Sequence, residues 1–257
     1  MPPQQSVQEQ IAADLRHKIM AGEYEPGDKL PSESRLTSQY GTARNTVRAA
    51  YLLLLQEGLV ESRQGHSYSV RVYQPLDWWP GTFEHQASRR DTVEAGADAW
   101  AADVKAQGHE PRQEVDVSIV VPPPRVAAEL KTPDGELVVV RRRRRFVDGA
   151  LVQLADSYYP LEVANGTPIM TPGDVVIPGG LMAAAGHRQR RYVDDIISRM
   201  ATRAEQVLMG LGAVTPMIEH LRVGYNVANQ PVRVIITTAP GDKLRIRQEF
   251  TDPDVTE

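Results

Sequence analysis

Residues 41–70, GTARNTVRAAYLLLLQEGLVESRQGHSYSV, decide the fold of the first part of the chain. After the glycine turn, Thr42 can cap a helix in which Val47 and Leu54 lie at helical spacing on an apolar face. Gly58 ends this apolar run, and the short segments LVES and SYSVRV then alternate as strands do. The pattern predicts a helix followed by a two-stranded wing.

Two further helices precede this stretch. VQEQIAADLRHKIMA, residues 7–21, carries an apolar residue about once per helical turn and is followed by Gly22. Ser32 can cap a second helix, ESRLTSQYG, which ends at Gly41. Two short helices joined by a glycine turn are typical of a helix-turn-helix, whose second helix enters the DNA major groove with its N-terminus leading.

The first turns of that second helix are rich in groups that bind nucleic acid. Arg44 and Arg48 lie one turn apart, and an arginine can bond a guanine edge twice or neutralise a phosphate. The candidate DNA contacts on the helix and the wing are Arg44, Asn45, Thr46, Arg48, Arg63, Gln64, Gly65 and His66. An ordinary helical hairpin with solvated arginines is the alternative, but the ordered series of helix, turn, helix and wing favours DNA binding.

Composition limits the remaining classes. The chain has 257 residues, 41% of them apolar, a formal charge of −4 and no cysteine. Disulfides and thiolate metal sites are therefore excluded. No apolar run is long enough to span a membrane, and the N-terminus has no export pattern, so we expect a cytoplasmic protein. The net positive stretch at 42–71 indicates a local anion-binding face.

The rest of the chain predicts a second domain. Residues 73–92 are rich in proline, aromatic and charged residues without periodicity, which indicates a linker between domains at 1–72 and 93–257. Beyond it, a helix over 92–108, a strand over 114–121 and a helix over 124–130 precede two strand hairpins and a final strand over 243–250. A helix at 203–210, capped by Thr202, lies between the hairpins. The fold class is therefore α+β, with an antiparallel sheet in the second domain.

Residues 7–72 resemble the winged helix-turn-helix domain of the GntR family of bacterial transcription regulators. The resemblance is carried by IAADLRHKIMAGEYEPGDKLPSE, GTARNTVRAA and EGLVESRQG. Ser34 stands where many members carry an arginine, and Arg35 follows it, so the resemblance implies a DNA contact for Arg35. The wing reads Gly65, His66, Ser67 where members usually have a second glycine.

The second part is similar to the UTRA effector-binding domain of the HutC subfamily, whose fold is like that of chorismate lyase. QGHEP, RRRRRFVDG, DSYYP, MTPGD and PGDK carry this resemblance, spread over residues 93–250. It implies a domain that binds a small molecule and dimerises the chain. In dimers the apolar segment VRVIITTA, residues 232–239, is a candidate for the buried surface.

Five consecutive arginines, residues 141–145, precede the predicted turn at Asp148 and Gly149. Alternate residues of a strand share a face. A simple two-residue turn sets Arg145 beside Val152, whereas a turn with a glycine bulge sets it beside Gln153, and the residues leave both registers open. In phosphosugar-sensing members an arginine pair binds phosphate, so the resemblance implies the effector-binding residues Arg143, Arg145, Gln153, Ser157 and Tyr158. A solvated basic strand, paired with acids such as Asp156, is the alternative.

Catalytic and metal-binding patterns are weak. Asp194 and Asp195 are adjacent on an extended segment and point apart, and we interpret His187 and His220 as surface histidines without metal-ligand spacing. No catalytic residue, metal or cofactor is predicted. The sequence indicates a ligand-responsive regulator, most simply a repressor that a small polar or anionic effector releases from a palindromic operator. The competing classes are a constitutive DNA-binding protein and an enzyme with a chorismate-lyase-like domain.

Overall fold

The computed structural model describes residues 6–63, 67–72, 75–81, 99–175, 177, 179–212 and 214–249. The chain divides into two compact units, Met1–Gln74 and Pro75–Glu257. We treat each unit separately.

The first unit contains three helices and a two-stranded wing. Their bounds are α1 (Val7–Met20), α2 (Glu33–Tyr40), α3 (Arg44–Gln56), β1 (Val60–Arg63) and β2 (Ser67–Val70). The two strands pair antiparallel, from Val60 opposite Val70 to Arg63 opposite Ser67. The winged helix-turn-helix predicted from the sequence is confirmed.

Local backbone chemistry explains where the helices begin and end. The Ser32 side chain accepts a hydrogen bond from the Arg35 backbone N–H, and Gly41 ends α2 in the left-handed conformation, with φ 58°. The predicted cap at Thr42 is wrong, because the N-cap of α3 is Ala43, which makes no side-chain cap. Thr42 instead takes part in the end of α2, because the backbone N–H of Thr42 donates to the carbonyl of Thr37.

One apolar core holds the first unit together. It contains the predicted inward face of α3 and the apolar stripe of α1. Its buried residues are Ile11, Ala12, Leu15, Leu30, Leu36, Val47, Ala50, Tyr51, Leu54, Val60, Tyr68 and Val70. Tyr51 and Tyr68 stack with ring centroids 3.8 Å apart. The wing is thereby packed onto the helix that precedes it.

The second unit is built on a six-stranded antiparallel sheet, which confirms the expected antiparallel sheet but includes a strand, Gln189–Met200, that was not among those expected from the sequence. Its strand order is β4-β5-β6-β9-β8-β7. The strands are β4 (Pro111–Val120), β5 (Val138–Val147), β6 (Ala150–Pro160), β7 (Gln189–Met200), β8 (Pro216–Asn226) and β9 (Pro231–Pro240). The helices are α4 (Ala99–Ala106), α5 (Pro124–Leu130), α6 (Leu161–Ala164), α7 (Leu181–Ala184) and α8 (Arg203–Met209), with a 3-10 turn at Pro168–Met170.

The predicted linker needs correction where the structure describes it. Leu76–Trp78 forms strand β3, which pairs parallel with β10 (Leu244–Ile246). Leu76 and Trp78 are buried with Trp100 and Leu244 in one apolar cluster. These residues belong to the second unit, because their apolar side chains are buried against a segment that is distant in the sequence. Composition alone had indicated a linker here. Residues 82–92 of the predicted linker lie outside the described residues.

The hairpin of β5 and β6 combines features of both expected registers. Asp148 and Gly149 form a two-residue turn with φ values of 50° and 81°, as a type I′ turn requires. Phe146 then pairs with Leu151, but Arg145 pairs with Gln153, so Val152 is an extra residue on β6. This bulge sets Arg143 beside Ala155. The expected register with Gln153 is confirmed, but the bulge lies at Val152 instead of at the glycine.

Candidate functional site

The first unit presents a polar surface at the start of α3. Arg44, Asn45 and Arg48 are exposed there, and Thr46 is half-buried. Arg35 is exposed on α2. The structure thus brings four of the predicted DNA contacts and Arg35 onto the helix-turn-helix, while Gln64, Gly65, His66 and the side chain of Arg63 lie outside the described residues.

The sequence analysis missed an acid behind this surface. Glu33, the first residue of α2, is only 4% exposed. Its Oε2 accepts a hydrogen bond from Nε of Arg44 at 2.5 Å, although the Arg44 side chain is 67% exposed. The Tyr68 hydroxyl of the wing donates to Oε1 of Glu33 at 3.5 Å. Glu33 and Arg44 are eleven positions apart and lie on different helices, so no local sequence pattern predicts that they pair.

The second unit contains a cavity on one face of the sheet. The register of β5 and β6 puts Arg143 and Arg145 on this face and Arg142 and Arg144 on the other. The cavity measures about 90 Å³ and is lined by Trp78, Pro80, Arg143, Arg145, Ala155, Ser157, His220, Arg222, Arg233, Ile235 and Thr237. Its walls therefore come from β5, β6, β8, β9 and the segment that follows the first unit.

Polar contacts inside the cavity are dominated by donors. Nη1 of Arg143 and Nη2 of Arg233 both donate to the hydroxyl of Ser157, each at 3.2 Å. Nη1 of Arg145 donates to Oε1 of Gln153 at 2.9 Å, and its guanidinium lies 5.0 Å from the ring centroid of Trp100. Arg143, Arg145 and Arg233 thus reach into one small space, which Arg222 also lines.

The pKa of a buried tyrosine reports the charge of this space. Tyr159 lies on the same sheet face and is fully buried. Burial alone would raise the pKa of its hydroxyl, but the charges of Arg233 and Arg143, a hydrogen bond with Ser157 and the charge of Arg141 together lower the pKa below its ordinary value. Arg233, Arg143 and Arg141 therefore place positive charge beside this hydroxyl.

Tyr158 was predicted as an effector contact, but it does not line this cavity. Its side chain lies on the opposite face, packed with Val140 and Val234, and its hydroxyl donates to Asp156. The prediction placed neighbouring residues Ser157 and Tyr158 in one pocket, which the alternation of a strand forbids. Asp156 lies on that opposite face too, 3.7 Å from Nε of Arg142.

Arg141 is a buried anchor. It is 1% exposed and donates to the carbonyls of Ile169, Thr171 and Gly173 at 2.6 to 2.8 Å. Burial, and repulsion from Arg143, lower the pKa of its guanidinium. The first arginine of the run therefore fixes a loop, which leaves the third and the fifth to the cavity.

An ion network closes the cavity on the β8 side. Asp194 accepts from Nε and Nη2 of Arg222, both at 2.7 Å, and from Nε2 of His220 at 3.0 Å. Although burial would raise the pKa of Asp194, these hydrogen bonds hold it well below its usual range. Nη1 of Arg222 donates to the carbonyl of Pro80. The network therefore holds the segment after the first unit against the sheet.

This network corrects the interpretation of His220 as a surface residue. His220 is 2% exposed, and its ring meets that of Trp78 edge to face. Its carboxylate partner is Asp194, from the neighbouring strand, so the two residues have no recognisable spacing in the sequence. Asp195 points the other way and is 55% exposed. No cluster of metal-ligating side chains occurs in the described part of the chain.

A winged helix-turn-helix and a second unit whose antiparallel sheet carries a cationic cavity define a DNA-binding transcription regulator with a sensor-type domain. Comparison with known families agrees: residues 7–70 match the bacterial regulatory proteins of the gntR family, and residues 106–245 match the UTRA domain. The chain belongs to the GntR family of transcription regulators with a UTRA effector domain. None of the helices in the described segments is long and apolar enough to cross a membrane.

Individual relatives support the same assignment. The HTH-type transcriptional regulator SCO4628 of Streptomyces coelicolor is 29% identical over 261 residues, covering 99% of this chain and 96% of its own. The mannosyl-D-glycerate transport/metabolism system repressor MngR of Escherichia coli is 44% identical over 62 residues, 24% of this chain and 26% of its own. PhnF from Mycobacterium smegmatis has the same fold, with a TM-score of 0.56 at 23% identity over 94% of this chain and 99% of that one.

Proposed function

We propose that this protein is a cytoplasmic repressor that binds a palindromic operator as a homodimer and is released by a small anionic effector. The effector binds in the cavity, where Arg143, Arg145 and Ser157 contact it, while Gln153 accepts a hydrogen bond from Arg145 and holds that arginine in place. The recognition helix α3 contacts base edges and phosphates through Arg44, Asn45, Thr46 and Arg48, while Arg35 and the wing residues Arg63, Gln64, Gly65 and His66 contact the flanking backbone.

The observation that carries the effector proposal is the positive cavity. Ser157 receives two guanidinium donors, and no described carboxylate lies within salt-bridge distance of Arg143. Arg143 is half-buried, and withdrawing a cation from water without an acid beside it has a free-energy cost that an added acceptor offsets. An anionic ligand supplies that acceptor, and a planar or tetrahedral anion suits the fork of arginine. A repressor role agrees with MngR, which is named a repressor and resembles this chain in its DNA-binding unit.

The surface for dimerisation differs from the one expected from the sequence. Residues 232–239 lie within β9, which is paired on both sides and contributes Val232 and Val234 to the core, so this segment is not a free surface. The edge strand β7 is better suited. Its exposed apolar residues are Val193, Ile196, Ile197 and Met200. An edge with unpaired backbone and apolar side chains is a template for a second copy.

A matched pair of double variants tests the effector site. Ligands are first selected by thermal shift from a panel of phosphorylated sugars, carboxylates and inorganic phosphate. We expect a selected anion to release the wild-type protein from its preferred duplex. The variant R143A/R145A should keep its DNA affinity but lose this release. The variant R142A/R144A, which removes two arginines from the opposite sheet face, should respond normally.

The outcomes separate the proposal from its alternatives. Equal ligand response in both double variants would place the effector elsewhere. Loss of response in R142A/R144A alone would move it to the opposite face of the sheet. DNA binding without preference among sequences would favour a constitutive DNA-binding protein, and chemical conversion of the selected anion would favour an enzyme.

A further inference from the structure

Glu33 stands in an unusual position for an acid. It is buried in the DNA-binding unit, yet it lies directly behind a surface that must approach phosphates. A carboxylate is rarely buried unless it is paired. Its partner is Arg44, whose guanidinium remains largely exposed while its Nε is held at 2.5 Å. The pair therefore has its acid inside the unit and its base outside.

The atom that Glu33 binds decides what Arg44 can still do. Arginine reads guanine through two parallel N–H groups, and its planar fork presents Nη1 and Nη2 at the outer end. Because Glu33 takes Nε, the outer end stays available and is aimed away from the carboxylate. Among the described residues, none accepts a hydrogen bond from Nη1 or Nη2 of Arg44.

The second oxygen of Glu33 connects the same acid to the wing. It lies 3.5 Å from the hydroxyl of Tyr68, whose ring stacks on Tyr51 of α3. Burial and Glu33 raise the pKa of Tyr68, while Arg48 opposes the rise through its charge and a hydrogen bond. One carboxylate is therefore shared by a network that reaches both arginines of the recognition helix, Arg44 directly and Arg48 through Tyr68.

We propose that Glu33 is a positioning residue for DNA recognition, which holds Arg44 in the geometry for base reading before the DNA arrives. The inference rests on the proposed contact of Arg44 with DNA. Fixing the side chain in advance removes an entropy cost from binding to the correct sequence. The same negative charge repels phosphates whatever the sequence. Glu33 thus strengthens specific binding and weakens non-specific binding.

The opposite signs of these two effects give the test. A preferred duplex is selected from random sequences with the wild-type protein, and fluorescence anisotropy then measures binding to it and to a scrambled duplex of equal composition. Glu33→Gln is expected to weaken binding to the preferred duplex about tenfold, within the range of one bidentate arginine contact. Binding to the scrambled duplex should strengthen about twofold. The ratio of the affinities for the preferred and the scrambled duplex measures specificity. Glu57→Gln, which removes an acid paired with Arg16 in the same unit, should leave this ratio unchanged.

Two results would overturn the inference. If Glu33→Gln strengthens binding to both duplexes equally, Glu33 acts only by repulsion. If it weakens both equally, its role is structural. A double-mutant cycle adds a stricter test, because in the Arg44→Ala background Glu33→Gln should no longer change the ratio. If Glu33→Gln lowers the affinity ratio in the Arg44→Ala background as much as it does in the wild-type protein, Glu33 does not act through Arg44.

Further variants keep the inference separate from the proposed function. If Arg44→Ala keeps the full sequence preference, the proposed contact of α3 fails and this inference fails with it. If Arg44→Ala loses preference while Glu33→Gln keeps it, the inference alone fails. Should Glu33→Gln unfold the unit, Tyr68→Phe decides, because it removes one hydroxyl and keeps the stacked ring. We expect it to lower the ratio about twofold to threefold, and an unchanged ratio would count against the network.

Discussion

Asp194 offers a quantitative test of how the second unit holds its first segment. Its carboxylate binds Arg222 twice and His220 once, and Arg222 in turn donates to Pro80. Asp194→Ala leaves the buried charge of Arg222 without its acid. Loss of one partner of a buried ion pair costs about 3–5 kcal/mol. Because the Asp194 side chain is 20% exposed, we expect about 3 kcal/mol, near the lower limit of that range.

Tryptophan fluorescence during urea unfolding measures this loss selectively. All three tryptophans of the chain, Trp78, Trp79 and Trp100, belong to the second unit, and Trp78 contacts His220. The signal therefore follows the unit in which the network lies. The midpoint should shift to lower urea in Asp194→Ala, with a similar slope.

The neighbouring acid provides the control. Asp195→Ala removes a carboxylate from the next position, but that side chain is mostly exposed and lies 3.9 Å from Arg125. A surface pair of this kind contributes at most about 1 kcal/mol. Equal losses in the two variants, or a loss below about 1 kcal/mol in Asp194→Ala, would refute the view that a buried network anchors Pro80.

Three further predictions concern DNA, acid stability and assembly. Arg44→Ala should weaken binding to the preferred duplex by about 1–3 kcal/mol and relax preference at one base pair per half-site, measured by anisotropy on single-base variants. Hydrogen bonds from Arg199 lower the pKa of Glu205 to about 2, so this pair stabilises the folded state above about pH 4, and that stability is lost as the pH falls through about 2. In Glu205→Gln the free energy of unfolding should therefore decrease less as the pH is lowered over this range. An unchanged dependence on pH contradicts the assignment. Ile197→Arg should convert the full chain from dimer to monomer in sedimentation velocity at micromolar concentration, and a dimeric variant would exclude β7 as the interface.

The DNA-binding unit was predictable because its signals are local. Ser32, Gly41 and the spacing of Val47 and Leu54 act within one or two helical turns, so each could be read from a short window. The error at Thr42 was one residue. Glu33 escaped notice because its partner depends on how two helices cross, which no local pattern encodes.

The second unit was predictable in class and less so in detail. The two hairpins follow from alternation and turn residues, but β3 has three residues and pairs with β10 more than 160 positions away. Burial of Arg141 could not be anticipated either, because its partners are backbone carbonyls. Every residue has a backbone carbonyl, so no residue type in the sequence marks these partners. The same holds for His220, whose place in the core depends on Asp194 of another strand.

The extra residue in β6 has a consequence for how this hairpin tolerates changes of length. Val152 has no opposite residue on β5, so a chain without it could close the same turn and keep Arg145 opposite Gln153. Loss of one arginine from the run is different, because either Arg141 would leave its three carbonyls or the turn would be drawn out of register. Position 152 is thus where the hairpin can lose one residue while the same two arginines continue to face the cavity.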